Sequence, residues 1–205
     1  AVSTLISTIL GSLIAVALSR YKFRGSEGIN LFLVLPLTTP EIVLGSSLAT
    51  LFLGQNFIDF GMVTIIIAHI MFQVSFVALT VRARIRGFDW TLEQAAQDLG
   101  ATPMRTFMKV TFPLILPGIL AAALLAFALS IDDFIITFFN SGPIQTFPLQ
   151  IYGASRVRIP PQINVLASII LFFSVAILMT GTIAGMRKSA QQQATAKKFK
   201  LPLRK

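Results

Sequence analysis

The sequence predicts an all-α, polytopic membrane protein with about five transmembrane helices. Of its 205 residues, 55% are apolar and only 12% are charged, and the mean hydropathy is +0.79. Soluble domains carry roughly a quarter charged residues, so this composition is typical of a membrane protein. Because a helix needs about 20 mostly apolar residues to cross the hydrocarbon core, the uncharged runs predict transmembrane helices near 1–19, 31–53, 62–81, 112–131 and 163–186.

The distribution of basic residues favours five helices over six. A further uncharged stretch, 134–155, contains Gly, Pro, Asn and Gln, whose backbone breaks are not tolerated where lipid surrounds them. With five helices, 15 of the 17 Lys and Arg residues lie on one side, which is therefore predicted to be cytoplasmic. The predicted organisation is a transmembrane domain, 1–186, with a cytoplasmic loop at about 85–111 and an external segment at about 132–162, followed by a basic cytoplasmic tail, 187–205.

Composition also excludes several classes of functional site. The absence of cysteine excludes disulfides, thiolate metal sites and cysteine nucleophiles, and a single His does not favour a metal site. The chain contains neither a P-loop nor a nucleophile elbow. We therefore predict no catalytic residues, no metal and no cofactor bound by this chain. The positive-inside pattern explains the net charge of +9, so membrane lipid rather than nucleic acid is the expected contact of the basic tail.

A charged, alanine-rich stretch of the cytoplasmic loop predicts two short helices. Thr91 and Gln94 have the spacing of a capping box, and Gly100 is suited to end the first helix. Thr102 followed by Pro103 predicts the start of the second helix. Apolar residues at helical spacing form one apolar stripe along both helices. This stripe consists of Leu92, Ala95, Ala96 and Leu99, then Met104, Phe107 and Met108.

Two interpretations of the apolar stripe are open at this point. Either it rests on the protein's own transmembrane helices, or it docks in a groove of a partner protein. Small alanines allow close approach to such a groove, and the flanking Leu and Phe side chains supply contact area. Flexible methionines suit a surface that has to repack.

The stretch EQAAQDLGATPMRTFMKVTFP resembles the EAA loop of binding-protein-dependent ABC importer permeases. The family pattern is Glu-Ala-Ala, three residues, Gly, nine residues, then Ile-x-Leu-Pro. Here Gln94 stands where the family usually has Glu, with Glu93 beside it, and Gly100 and Pro113 occupy the family's Gly and Pro positions. Further segments resemble the spermidine/putrescine-type permeases of this family. They are RYKFRG, LPLTTPEIVLGSSL, LSIDDFIITFFNSGP and PLQIYGASRVRIPPQINVLASI.

The resemblance implies a type I ABC importer permease fold, whose core of six helices would place one more helix before residue 1. It implies a non-catalytic subunit of a bacterial-type inner membrane, with a cytoplasmic C-terminus. The implied partners are a second permease subunit, two copies of a cytoplasmic ATPase that uses ATP and Mg, and an external solute-binding protein. The loop would be the coupling helix, contacting the ATPase through Leu92, Glu93, Gln94, Ala95, Ala96, Asp98, Leu99, Gly100, Met104 and Phe107.

Ionisable residues within predicted transmembrane helices are candidates for a solute pathway, because burying them in a bilayer is costly. Glu41 follows Pro40 in the second helix and is expected either to bind a cation or to hydrogen-bond neighbouring helices. His69 and Gln73, one turn apart in the third helix, either face the pathway together or bond between helices.

The end of the fourth helix carries a second group of candidates. Asp132 or Asp133 would attract a cationic solute, with Phe134 offering a cation–π face. The alternative is that both are interfacial carboxylates in water, one of them paired with Arg156 or Arg158.

These residues favour a pathway for a small cationic solute. The resemblance implies that the chain forms half of this pathway and that the solute is a polyamine such as spermidine or putrescine. A competing hypothesis is an ion-gradient-driven secondary transporter with His69, Glu41 or Asp132 as the proton carrier, although the sequence shows no internal repeat of the kind common in that class. A permease for a different small solute is also open, as is a membrane scaffold that transports nothing.

Overall fold

The computed structural model describes residues 1–21, 23–55, 58–157, 161–162, 164–169 and 172, and this part of the chain contains helices and no strands. It divides into two units, residues 1–150 and 151–205. The helices in chain order are α1 Val2–Arg20, α2 Ser26–Thr38, α3 Glu41–Gln55, α4 Met62–Ile85, α5 Thr91–Asp98, α6 Pro103–Thr106, a π-helical segment Phe107–Thr111, α7 Phe112–Asp132, α8 Ile135–Asn140 and α9 Phe147–Val157.

Three described helices are long and apolar enough to cross a membrane. They are Val2–Arg20, Met62–Ile85 and the continuous helix Pro103–Asp132, in which an 18-residue stretch has a mean hydropathy of 2.5. These match the first, third and fourth predicted transmembrane helices, and the all-helical architecture confirms the predicted fold class. Most of the predicted fifth helix, 163–186, and all of the tail, 187–205, lie outside the described residues.

The predicted transmembrane segment 31–53 is not one continuous helix, although the two helices there are together long and apolar enough to form one broken span. The structure has two helices there, Ser26–Thr38 and Glu41–Gly54, which meet at an angle of 111°. Thr39 is extended, with φ −82° and ψ 132°. Proline disfavours the helical conformation of the residue before it and lacks an amide donor, so Pro40 ends α2 and lets α3 leave in a new direction.

The packing of α1 against α4 depends on small residues. Ser3, Ser7, Gly11 and Ala15 recur every fourth position of α1, and all four are buried. A Cβ atom added at Gly11 would lie 2.7 Å from the Cβ of Val77 on α4. Small residues at this spacing let two helices approach closely, as is common in membranes.

A second contact joins α8 to α3 and α4 through buried polar groups. The Asn140 side-chain amide donates to the carbonyl of Gly45 at 3.2 Å and to that of Ile136 at 2.8 Å. The Thr64 hydroxyl donates to the carbonyl of Asn140 at 2.7 Å. Around these bonds pack the apolar side chains of Leu48, Phe52, Ala68, Phe72 and Ile136. The short helix α8 is therefore held by both polar and apolar contacts.

Within the second unit, the last turns of α9 carry an aromatic–cation pair. The Arg156 guanidinium lies 4.7 Å from the centroid of the Tyr152 ring and donates to its hydroxyl. The unit continues with helical residues at 164–169. Arg158, the other basic residue predicted on this side, lies outside the described residues.

Candidate functional site

The start of α5 differs from the predicted capping box. The Thr91 hydroxyl donates to the carboxylate of Asp89 at 2.8 Å, and the Thr91 amide donates to the same oxygen at 3.0 Å. Thr91 is the first residue of α5 and does not cap it, since its hydroxyl donates to Asp89, which precedes the helix. The bond from the Thr91 hydroxyl and, to a smaller extent, the bond from its amide stabilise the ionised carboxylate. They hold the pKa of Asp89 below its ordinary value.

The predicted end of α5 at Gly100 agrees with the structure. Gly100 has φ +84°, and its amide donates to the carbonyl of Gln97 at 2.8 Å. The amide of Ala101 donates to the carbonyl of Ala96 at 3.1 Å. Together these bonds form a Schellman motif, which requires a left-handed residue that glycine adopts without steric cost.

The second short helix starts as predicted but is not a separate element. The Thr102 hydroxyl accepts the amide of Arg105 at 3.4 Å, with Pro103 in the first turn. From there the chain continues through the π-helical segment Phe107–Thr111 directly into α7. The loop therefore contains one separate helix, α5. The residues after it, α6 and the π-helical segment, extend α7 towards the loop.

Most of the apolar stripe is exposed, although Leu92 also lines a cavity with Arg84, Leu114 and Ile115. Leu99 is 89% exposed, Met104 71%, Met108 55% and Leu92 45%. Ala95 is also exposed, as are the polar candidates Gln94 and Asp98, while Ala96 and Phe107 are half-buried. Of the two interpretations of the stripe, this geometry favours docking, because four large apolar side chains lie uncovered on adjacent turns.

Glu93 lies on the opposite face of α5 from the apolar stripe. Its carboxylate accepts Arg20 Nη2 at 2.8 Å and the hydroxyl of Thr111, and the residue is only 5% exposed. Trp90, one turn earlier, packs against a core cluster of α1, α4 and α7. The structure thus separates Glu93 from the exposed candidates. Sequence reasoning missed Arg20 and Thr111, and the only signal was the position of Glu93 off the stripe.

A buried polar group, the His69 cluster, joins α4 to the end of α7 and the start of α8. It consists of His69, Ser130, Asp133 and Thr137. The imidazole Nδ1 lies 2.9 Å from the Ser130 hydroxyl, and Nε2 lies 2.9 Å from the Thr137 hydroxyl. Nε2 is also 3.2 Å from an Asp133 carboxylate oxygen, which accepts the Thr137 hydroxyl at 2.6 Å.

The structure shows the partners of three residues whose surroundings the sequence leaves open. His69 bonds between helices, and Asp133 is its buried partner rather than an interfacial carboxylate in water. Gln73 faces α1, where its side-chain oxygen accepts the Ser7 hydroxyl at 3.1 Å. Ser130 and Thr137 were missed, since single hydroxyls in apolar helices give no sequence signal of their own.

The remaining pathway candidates are accessible. Glu41 is exposed in the first turn of α3, directly after the bend, and Asp132 is exposed at the end of α7. Phe134 is half-buried, with its ring centroid 5.6 Å from that of Phe138. Glu41 and Asp132 thus lie on the surface of the described part of the chain.

Comparison with known proteins identifies the family. A family model of the binding-protein-dependent transport system inner membrane component matches residues 7–189. The chain belongs to this family. It is 41% identical over 172 residues to the putrescine transport system permease protein PotI of Escherichia coli K12, covering 80% of the chain and 61% of PotI.

Two further proteins match more of the chain at a lower sequence identity. Identity to the spermidine/putrescine transport system permease protein PotC of Escherichia coli K12 is 36% over 188 residues, covering 91% of the chain and 71% of PotC. Identity to PotC of Haemophilus influenzae is 35% over 175 residues, covering 85% of the chain and 68% of that protein. The chain spans less than two thirds of the length of PotI.

Proposed function

We propose that this protein is the membrane-spanning subunit of an ATP-driven importer and forms half of a pathway for a small cationic solute. The observation that carries the proposal is the uncovered apolar stripe on α5 and its neighbour α6, in a chain of the binding-protein-dependent family. Such a surface on a membrane protein needs a partner that covers it outside the bilayer.

The proposed partner at the stripe is a cytoplasmic ATPase, present in two copies, which would bind and hydrolyse ATP with Mg. A second permease subunit would complete the pathway, and an external solute-binding protein would deliver the solute. The chain itself would bind no cofactor and would sit in the inner membrane with its C-terminus in the cytoplasm. Family membership supports this assembly over an ion-gradient-driven transporter.

The proposed solute is a polyamine. The names of the similar proteins give putrescine and spermidine as their solutes. Two exposed carboxylates, Glu41 and Asp132, suit a chain of separated ammonium groups, because opposite charges attract at short range. Phe134 and Phe138 add aromatic faces next to Asp132, and such faces attract cations. Asp133 would act indirectly, as the buried partner of His69.

The test is ATPase activity of the assembled transporter. The natural protein is expressed with its partner permease and ATPase, reconstituted in liposomes, and assayed with the solute-binding protein present. Strong stimulation by spermidine would support both the coupling role and the polyamine class. Stimulation by another solute alone would overturn the polyamine assignment and keep the architecture. Failure of any ATPase to co-purify would overturn the docking of α5.

The docking contact itself is tested by Leu99→Ser. Leu99 is 89% exposed, so its loss leaves the fold of this chain intact while removing apolar area from the interface. We expect the yield of co-purified ATPase to fall severalfold, whereas the matched control Gln97→Ser, on the same helix but off the stripe, leaves it unchanged. Equal yields from both variants would argue against the stripe as the docking surface.

A further inference from the structure

We infer that Glu93 is a positioning residue that fastens α5 to two transmembrane helices and passes the movement of α5 to them. The inference rests on the proposed docking of α5 on an ATPase. The inference names the side chains through which docking of the ATPase on α5 would act on the membrane helices. We call Arg20, Glu93 and Thr111 the Glu93 junction.

The two carboxylate oxygens of Glu93 serve two different elements. One oxygen accepts Arg20 Nη2 at 2.8 Å, and Arg20 is the last residue of α1. The other accepts the hydroxyl of Thr111, the last residue of the π-helical segment that leads into α7. A single side chain of α5 therefore reaches the ends of both α1 and α7.

The junction is sheltered from water. The Glu93 side chain is 7% exposed and that of Arg20 is 24% exposed, while Thr111 is 2% exposed. Exposed ion pairs contribute little because water screens them, whereas removing one partner of a sheltered pair leaves a charge without compensation. The Glu93 junction is thus a firm attachment and not a surface contact.

The position of the junction on α5 suits the transfer of movement. Glu93 in this eight-residue helix and Trp90 directly before it face the transmembrane helices, whereas Leu99 directly after it is exposed. A displacement of the outer face of a short rigid helix also displaces its inner face. After α5 the chain turns at Gly100. An added Cβ there would meet no atom within 4 Å, so the turn is not packed against other residues of the described chain.

The π-helical segment supplies a second indication. It spans Phe107–Thr111 and ends at the residue that bonds Glu93. Wide π turns are rare and occur often at functional positions. Here the segment sets the position of the Thr111 hydroxyl at the point where the α5–α6 loop becomes α7.

The first experiment measures solute imported per ATP hydrolysed by the assembled transporter in liposomes. The variants are Glu93→Gln, Arg20→Gln and their combination, with Glu27→Gln as the matched control because Glu27 is an exposed carboxylate in the first turn of α2. We expect each single variant to lower the ratio at least about fivefold, with ATPase co-purification retained. The combination should be no worse than either single variant, because both remove one interaction.

The second experiment measures attachment of α5 without any ATPase. The chain has no cysteine, so spin labels at Leu13→Cys in α1 and Gln97→Cys in α5 report one distance. We expect a narrow distance distribution that Glu93→Gln broadens and Glu27→Gln does not.

The outcomes separate the inference from the proposed function. An unchanged distance distribution in Glu93→Gln, or a broadened one with an unchanged transport ratio, would overturn the positioning role. If no ATPase co-purifies with the parent protein, the docking proposal fails, and the distance measurement alone still decides whether Glu93 holds α5.

Discussion

At the scale of single residues, neighbouring polar side chains of one motif lie in different surroundings. Glu93 and Gln94 are neighbours in one motif, yet Glu93 is buried and Gln94 is exposed. A helix turns by about 100° per residue, so adjacent side chains face different surroundings. The partner of Glu93 is Arg20, which lies 73 positions away in the sequence. Local spacing contains no information about that pairing.

Gly100→Pro tests the end of α5. Proline fixes φ near −65° and has no amide proton, whereas Gly100 needs φ +84° and donates to Gln97. We expect loss of ATPase co-purification and faster proteolysis of the loop, with membrane insertion unchanged.

Gly100→Asn is the matched control for that variant, because asparagine tolerates the left-handed conformation better than other non-glycine residues. It should retain most of the co-purified ATPase. Equal behaviour of the two variants would show that the Schellman motif is not needed for docking.

His69→Ala tests the His69 cluster. It removes one side chain that contacts Ser130, Thr137 and Asp133 and leaves the buried carboxylate with fewer partners. We expect a loss of about 1–3 kcal/mol in unfolding free energy, seen as a lower Tm in detergent. Ser130→Ala removes one bond and should cost about 0.6 kcal/mol, close to the average for hydrogen bonds within membranes. A smaller loss in His69→Ala than in Ser130→Ala would contradict this ranking.

At the scale of helices, the effect of proline depends on what surrounds it. Pro36 lies within α2 and Pro117 within α7, and both helices continue through them. Pro40 instead coincides with a bend of 111° between α2 and α3. Proline leaves a backbone carbonyl without its helical hydrogen bond. In a membrane helix, neighbouring side chains or helices can satisfy that carbonyl at some positions and not at others. The sequence marks all three prolines alike, and packing decides which one breaks the helix.

Gly11→Ala tests the contact between α1 and α4. The added Cβ would lie 2.7 Å from Val77 and 3.0 Å from the amide nitrogen of Ala78, so the helices have to move apart. We expect a destabilisation of about 1–3 kcal/mol, measured as a lower Tm. The control is Gly28→Ala in α2, where an added Cβ meets no atom within 4 Å and the Tm should hold or rise. A Gly11→Ala protein as stable as Gly28→Ala would show that this packing is loose.

At the scale of the whole molecule, the described part of the first unit has two kinds of exposed surface, to which we assign the two proposed functions. The loop between α4 and α7 presents the apolar stripe on one side and the Glu93 junction on the other. Elsewhere, the bend before α3 and the end of α7 present the exposed carboxylates Glu41 and Asp132. A transporter needs both kinds of surface, one for its energy source and one for its solute.

Glu41→Gln tests the solute surface in the assembled transporter. Removing one exposed carboxylate should raise the KM for spermidine import about fivefold, since an exposed ion pair contributes up to about 1 kcal/mol. Assembly with the ATPase should be unaffected. Glu27→Gln, equally exposed but remote in sequence from the bend, is the control. An unchanged KM in Glu41→Gln would assign Glu41 a structural role.

The sequence by itself determined the helical membrane class, three of the transmembrane helices, the end of α5 at Gly100 and the existence of an amphipathic helix in the loop. These follow from composition, periodicity and local turn chemistry, which act over a few residues. Only the tertiary structure decided that most of the stripe is exposed, that Glu93 faces Arg20 and Thr111, and that Asp133 is buried beside His69. Each of these depends on contacts between residues far apart in sequence, whose energies no local pattern encodes.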